Sequence, residues 1–170
     1  WAGPSSFSAT TPNISALAPG DYTITVTDDN GCAVEETYSI AEPDELGLTG
    51  DLSDYNGFGV SGNGLSDGSI DITVTGGVIP YSYSWTSTDG TIPGGQEIEE
   101  DLSTLNAGNY TVLITDANGC TIADTWEITE PDELLISEEI ASHVDVLCFG
   151  ENTGVIEVVV DKESVAPYEY

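Results

Sequence analysis

Apolar and polar side chains alternate over residues 108–115 in a way that predicts a β-strand. Tyr110, Val112 and Ile114 recur at every second position, the period expected when one face of a strand is buried. The next residues, Asp-Ala-Asn-Gly at 116–119, predict a hairpin turn. An Asp carboxylate there accepts hydrogen bonds from backbone amides ahead of it, and Asn and Gly tolerate positive φ. Residues 120–128 resume the alternation and predict the return strand.

This strand–turn–strand pattern occurs twice in the chain. Residues 20–46 match residues 108–134 at 15 of 27 positions, and the cysteines that follow the two turns, Cys32 and Cys120, are 88 residues apart. A repeat of this length indicates an array of small domains that share one fold.

The region between the two copies contains short apolar segments and no helical period. The segments at 46–52, 69–75, 81–85 and 96–102 have the pattern of strands and are separated by residues rich in Gly, Pro, Ser and Asn. These segments and the two strands of the hairpin account for six of the seven or so short strands that we predict in one unit. We therefore predict an all-β chain of tandem immunoglobulin-like β-sandwich repeats of about 88 residues.

A Glu-Pro-Asp-Glu-Leu motif, at 42–46 and again at 130–134, marks the boundary between repeats. Proline lacks the N–H that continues a ladder and it restricts φ, so these short links should be stiff and the repeats should form a rod. We predict the second half of a repeat over 1–43, a complete repeat over 44–131 and the first half of the next over 132–170. An isolated half-sandwich exposes apolar edge strands. We therefore expect the last half to be completed by residues outside this chain or by the equivalent of 1–43 in a neighbouring copy.

The inward faces of the predicted strands supply a core. Trp85 should face the second sheet, with Ile72 and Ile114 as apolar neighbours. Tyr110 follows a glycine corner at the start of its strand, which resembles the tyrosine corner of Greek-key sandwiches. The equivalent core positions in the first copy are Trp1 and Tyr22.

The composition makes the chain strongly acidic. It has 31 acidic residues and a single basic one, Lys162, and its formal charge is −30. It therefore lacks the cations that displace counterions from phosphates, which excludes nucleic acid as a partner. No segment approaches the roughly 18 apolar residues of a membrane span, so no membrane insertion is expected. A hydrophobic content of 39% is enough for folded cores.

Five motifs in this order carry a family resemblance. They are Asp-Gly-Ser-Ile-Asp-Ile-Thr-Val-Thr-Gly-Gly (67–77), Pro-Tyr-Ser-Tyr-Ser-Trp (80–85), Leu-Asn-Ala-Gly-Asn-Tyr-Thr-Val (105–112), Thr-Asp-Ala-Asn-Gly-Cys (115–120) and Ile-Thr-Glu-Pro (128–131). The chain resembles the SprB-type repeat of Bacteroidetes cell-surface proteins, including the gliding-motility adhesin. The resemblance implies export by type IX secretion, an extracellular place on the bacterial cell surface and a filament of tandem repeats. It implies no catalytic residues.

The three cysteines do not form a self-sufficient disulfide framework. Cys32 and Cys120 are equivalent positions in different repeats, and Cys148 lies at another phase, where the complete repeat has Gly62. We expect any disulfide to involve residues outside this chain, and free thiols are the alternative. The resemblance implies a cysteine at the position of Cys148, so Gly62 departs from the family pattern.

Oxygen-bearing side chains at the turns and linkers are candidate Ca²⁺ ligands, because this hard cation takes six to eight oxygens. The candidates are Asp28, Asp29, Asn30, Asp116 and Asn118 in the turns and Asp44 and Asp132 in the linkers. The alternative is that the turn residues serve turn geometry and that the linker acids form a solvated surface. No other cofactor is predicted.

No motif predicts an enzyme. The chain has no nucleophile elbow, no Cys–His constellation and no phosphate loop, and His143 is expected at the surface. Tyr81, Tyr83 and Trp85 could stack on a sugar, although strand alternation also explains them as core residues.

We predict a structural segment of an extended acidic surface filament or adhesin stalk, linked to adhesion or gliding motility. Its partners would be further repeats of the same polypeptide or copies in a filament. The alternative is a carbohydrate-binding surface module, with a surface glycan or an abiotic surface as its target.

Overall fold

A computed structural model of the chain describes residues 1–138, 144–150 and 152–160. The chain divides into two compact units, Trp1–Glu45 and Leu46–Tyr170, and each is described by itself. His143, which we expect at the surface, lies outside the described residues.

The described residues form β-strands joined by turns and loops, and the prediction of an all-β chain is confirmed. In chain order the strands are β1 (Gly20–Thr27), β2 (Ala33–Ile40), β3 (Gly47–Leu52), β4 (Gly68–Thr75), β5 (Ser82–Ser87), β6 (Leu102–Leu105), β7 (Gly108–Thr115), β8 (Thr121–Ile128), β9 (Ile136–Glu138) and β10 (Val158–Val160). Single 3-10 turns occur at Pro4–Ser6 and Gln96–Ile98. Neither turn has the length or the apolarity that a helix needs to span a bilayer, and the described residues contain no helix that does.

Six strands of the second unit form a sandwich of two antiparallel sheets. One sheet has the order β3-β4-β6 and the other has the order β5-β7-β8. The chain alternates between the sheets, because β4 pairs with β6 and not with β5, and β5 pairs with β7 and not with β6. This interleaving lets the apolar faces of the two sheets pack on each other. The tandem immunoglobulin-like arrangement stays a prediction.

The core of this sandwich takes side chains from both sheets. Its buried members are Val60, Ile70, Ile72, Trp85, Leu102, Leu105, Tyr110, Val112, Ile114 and Ile128. Trp85 is only 3% exposed, its Nε1 donates a hydrogen bond to the carbonyl oxygen of Glu99 at 3.0 Å, and its ring centroid lies 5.8 Å from that of Trp126. The largest ring of the core is therefore held both by packing and by a satisfied polar atom.

The predicted tyrosine corner is confirmed in both copies. The Tyr110 hydroxyl donates a hydrogen bond to the carbonyl oxygen of Asn106 at 2.8 Å, and the Tyr22 hydroxyl donates one to that of Ala18 at 2.8 Å. Each bond ties the start of a strand to the loop four residues before it.

The predicted strand over residues 96–102 is wrong, and the complete repeat has six strands rather than about seven. Gly95 takes a left-handed φ of 95° and starts the 3-10 turn of Gln96–Ile98. The Asp101 carboxylate then accepts a hydrogen bond from the backbone N–H of Ile72 at 2.9 Å. The Asp101 carboxylate thus occupies the Ile72 N–H that would otherwise join the β-ladder. β6 therefore pairs with β4 only from Leu102 onward.

The first unit contains a hairpin with the register of the β7–β8 hairpin. β1 pairs with β2 from Gly20 opposite Ile40 to Thr27 opposite Ala33, as β7 pairs with β8 from Gly108 opposite Ile128. The turns between the strands share Asp, Asn, Gly and Cys and differ only at Asp29 and Ala117, so the same local turn chemistry gives both hairpins one register.

Aromatic rings pack against one side of this first hairpin. Tyr22 is buried, with the edge of Phe7 at a centroid distance of 5.3 Å. Trp1 is half-buried, 6.0 Å from Tyr38, and its buried Nε1 has no hydrogen-bond partner. Trp1 thus lacks the bond that the equivalent Trp85 makes.

Trp85→Ala should lower the free energy of unfolding of the second unit by about 3–5 kcal/mol, through lost burial and the cavity that remains. Chemical denaturation followed by Trp fluorescence and circular dichroism measures this loss. Ser84→Ala, on the outer face of the same strand, is the matched control and should change little. A loss below about 1 kcal/mol for Trp85→Ala would show that the ring does not support the core.

Candidate functional site

The loop over residues 59–64 is bonded to the end of β8, where the chain leaves the complete repeat. The N–H groups of Gly59 and Val60 both donate hydrogen bonds to the carbonyl oxygen of Thr129, at 2.9 and 3.1 Å. A Cβ on Gly59 would lie 2.8 Å from the side chain of Ile128, so only glycine allows this approach. The loop and the strand end therefore form one packed surface.

The same loop holds the linker itself, in a contact that we call the linker clamp. The Gly64 N–H donates a hydrogen bond to the Glu130 Oε2 at 2.7 Å, and the Asn63 side-chain amide donates one to the carbonyl oxygen of Pro131 at 3.1 Å. Pro131 is buried. The two residues that open the linker are thus bonded, one through its carboxylate and one through its backbone, to the repeat that precedes them.

Asp67 braces the loop from its other end. Its carboxylate accepts hydrogen bonds from the Ser61 hydroxyl at 2.5 Å and from the Ser61 N–H at 3.0 Å. These two bonds from Ser61 hold the pKa of Asp67 below its ordinary value. The carboxylate is therefore engaged in loop structure.

The first linker has the same motif in a different setting. Glu42 and Pro43, the residues that open it, are both exposed.

The predicted role of the turn aspartates is confirmed in both hairpins. The Asp28 Oδ1 accepts hydrogen bonds from the N–H groups of Asn30 and Cys32, at 2.9 and 2.8 Å. The Asp116 Oδ1 accepts the same pair from Asn118 and Cys120, at 2.9 and 2.8 Å. The shared Asp, Asn and Cys therefore make the same hydrogen bonds in both turns.

Asp116 carries one bond more than Asp28. Its Oδ2 accepts a hydrogen bond from the N–H of Val78 at 2.9 Å, and the carbonyl oxygen of Val78 accepts one from Ala117 at 2.8 Å. Asp116 is buried at 6% exposure. Burial raises its pKa, but the donors of Cys120, Val78, Asn118 and Gly119 together outweigh burial, and the pKa lies below its ordinary value. This carboxylate joins the β7–β8 turn to the loop between β4 and β5.

The geometry does not assemble the candidate calcium ligands. The described residues contain no group of three or more His, Cys, Asp or Glu placed to hold a metal ion. The Asp28 and Asp116 carboxylates bond the backbone of their own turns, and Asp29, Asp44 and Asp132 are exposed. Calcium takes six to eight oxygens, which these separated residues do not offer, so the calcium site stays a prediction without a donor set to support it.

The aromatic candidates lie in or beside the core. Trp85 is buried, while Tyr81 and Tyr83 are half-buried and pack against the core, and the Tyr81 hydroxyl donates a hydrogen bond to the Gly76 carbonyl oxygen. Burial, followed by the charge of Glu100, raises the pKa of Tyr83. None of the three rings is exposed in the way that stacking on a sugar requires.

The cysteines Cys32, Cys120 and Cys148 are free and exposed among the described residues. Sequence reasoning missed the linker clamp, because its partners stand 66 positions apart (Gly64 and Glu130) and 68 positions apart (Asn63 and Pro131). The signal that the sequence did offer for this contact was Glu130, the glutamate of the Glu-Pro motif.

Comparison with known families identifies two segments of the chain. The SprB repeat model matches residues 60–92 and 140–170, and the predicted resemblance is confirmed. The first match begins within the loop of the linker clamp and continues through β4 and β5. Neither the curated proteins nor the solved structures contain a match.

Glu130→Ala should open the linker clamp without unfolding the repeat. A hydrogen bond to a charged group contributes about 1.5 kcal/mol, so the Gly64 amide should exchange its hydrogen about tenfold faster, as NMR hydrogen exchange can measure. Glu42→Ala, the same change in the first linker, should leave Gly64 unaffected. Unchanged exchange at Gly64 in Glu130→Ala would contradict the clamp.

Asp116→Asn should lower the thermal unfolding midpoint of the second unit at pH 7. A carboxylate with a lowered pKa stabilises the fold above its unfolded pKa, about 4, and loses that effect as the pH falls through the folded pKa. The difference in unfolding midpoint between the wild type and Asp116→Asn should therefore become smaller below about pH 4. Glu127→Gln, on the exposed face of β8, is the control. It also removes one negative charge, so it shows how much the midpoint changes when repulsion within this acidic chain is reduced. A gap that stays constant down to about pH 2 would show that the carboxylate charge is not what stabilises the turn.

Proposed function

The chain carries SprB repeats, which occur in cell-surface proteins, and from this premise we propose that it is a structural segment of an extended acidic filament on a bacterial cell surface. The SprB repeat family is a structural family of surface repeats and not a family of enzymes. In this proposal the sandwiches are spacers, and their value lies in shape and stiffness rather than in chemistry.

The linker clamp is the observation that carries the proposal. A spacer needs a link that does not swivel freely, and a short proline link with its carboxylate and its backbone bonded to the preceding repeat meets that need. A flexible tether would instead be rich in Gly and Ser and free of such contacts.

The charge supports an exposed, extended state. With a formal charge of −30 on 170 residues, the chain repels its own kind at low salt, which favours solubility and disfavours collapse. Export by type IX secretion and a role in adhesion or gliding motility belong to the proposal and rest on the family resemblance. The partners would be further repeats of the same polypeptide or copies in a filament.

The rival function is a carbohydrate-binding module. It would use an exposed ring, and Tyr55, which is 38% exposed at the rim of a loop, is the residue of the complete repeat that best suits it. The buried Trp85 and the half-buried Tyr81 and Tyr83 give it less support.

Two measurements test the proposal together. Antibodies raised against residues 46–131 should label intact source cells without permeabilisation, and the chain should show no saturable binding to polysaccharide in calorimetry. Absence of labelling on intact cells would refute the surface role. Saturable glycan binding that is lost in Tyr55→Ala, but retained in the outward-facing control Thr111→Ala, would replace the spacer with the binding module.

A further inference from the structure

β8 is the last strand of its sheet, and one of its inward positions carries a charge. Side chains alternate along a strand, so the face that packs on the other sheet takes Ile122, Asp124, Trp126 and Ile128. The three apolar members lie in the core or pack against it. Asp124 is exposed, although Val112, the residue opposite it on β7, is fully buried.

The Asp124 side chain bonds the backbone of its own strand. Its Oδ1 accepts a hydrogen bond from the N–H of Thr125 at 2.8 Å. Residues of an antiparallel strand direct their backbone groups alternately to one side and to the other. Thr125 lies opposite Thr111. The carbonyl oxygen of Asn109, two residues before Thr111, accepts a hydrogen bond from the Ser87 hydroxyl of β5 at 2.9 Å, so both residues face β5.

It follows that the Thr125 N–H is directed away from β7, towards the outer edge of the sheet. An edge strand presents such unpaired amides and carbonyls as a template on which another strand can pair. The Asp124 carboxylate therefore occupies an amide that an added strand would need, as Asp101 occupies the Ile72 amide of β4.

The opposite side of the sandwich is covered by the chain itself. β5 and β6 are the last strands of the two sheets there, and the segment over residues 96–101 lies beside both. The carbonyl oxygen of Glu99 accepts the hydrogen bond of the Trp85 Nε1, and the Gln96 Oε1 accepts one from the N–H of Ser103 at 2.8 Å. This segment therefore shields the edge of the sandwich at β5 and β6.

On the β8 side, the chain covers the end of the strand. The carbonyl oxygen of Thr129 accepts hydrogen bonds from the N–H groups of Gly59 and Val60, as described for the linker clamp. Residues 123–125, in the middle of β8, are exposed. The charged side chain is thus placed on the part of the edge that is open to solvent.

The first copy of the hairpin has an acid at the same position. Its residue is Glu36, which lies opposite Ile24 and between the apolar positions Val34 and Tyr38. The alternation of each strand calls for an apolar residue here. The side chain differs between the copies, but the charge and its inward position are the same.

A strand added to β8 would lie about 4.8 Å away and would extend the sheet past Asp124. Its own inward side chains would then cover the carboxylate and remove it from water. The chain has a single basic residue to pair with 31 acidic ones, so a buried carboxylate would have no partner charge. Inward-pointing charges are one of the devices by which proteins keep edge strands from pairing.

We propose that Asp124 closes the β8 edge against strand addition, so that copies of the chain do not join side by side through this strand. The spacer role leaves open whether neighbouring filaments fuse laterally, and the proposal goes beyond it. It rests on backbone contacts within the complete repeat and does not require a surface location. Replacing Asp124 with an apolar residue should allow β8 to pair with β8 of a second copy.

NMR hydrogen exchange on the full chain tests the proposal in about 0.5 M NaCl, where the Debye length is only roughly 4 Å. In the wild type, the amide of Ala123, which has the direction of the Thr125 amide, should exchange fast at every protein concentration. In Asp124→Val, exchange at Ala123 and Thr125 should slow at least about tenfold between about 0.05 and 1 mM, as strands pair. This measurement is local to the edge, so association through another surface does not affect it.

Glu127→Val is the matched control. It removes the same charge and adds the same side chain on the outer face of β8, and it should behave as the wild type does. Asp124→Thr, a second variant, removes the charge with a polar side chain and should also open the edge. Slow exchange at Val112 shows in each case that the repeat is folded.

Three results would each overturn the proposal. They are concentration-dependent protection of the β8 edge in the wild type, no such protection in either Asp124 variant, and equal protection in Glu127→Val. Any of them, obtained with surface labelling of intact cells, would leave the spacer role standing.

Discussion

An apolar sheet face must be covered by a second sheet, and most of this structure follows from that constraint. In the complete repeat, β4 and β5 lie in different sheets and bring Ile72 and Trp85 into one core. The strands themselves are short and supply few apolar contacts within a sheet, so stability comes from the contact between sheets. The outward polar positions of the same strands, such as Ser84, remain exposed.

One motif has different physical properties in two settings. Asp28 and Asp116 accept hydrogen bonds from the same pair of turn amides, and Asp116 also accepts one from the N–H of Val78. Local sequence therefore determines the turn, and the loop that contains Val78 adds one further bond at Asp116.

The division between what the sequence predicts and what it misses follows the range of the interactions. The alternation at Tyr110, Val112 and Ile114, the Asp-x-Asn-Gly turn and the tyrosine corner each depend on residues within four positions, so pattern and turn chemistry predict them. Asp101 meets Ile72 across 29 positions and Asn63 meets Pro131 across 68. Nothing local signals those contacts, so the strand predicted at 96–102 is wrong and the linker clamp was missed.

The linker clamp also determines how a pulling force enters the fold. Tension applied along the chain at Pro131 reaches β8 only after it has been shared among the bonds of Asn63, Gly64 and Thr129 to the linker and the strand end. Because these bonds hold both the linker and the strand end, several of them oppose the peeling of β8 when the chain is pulled at Pro131.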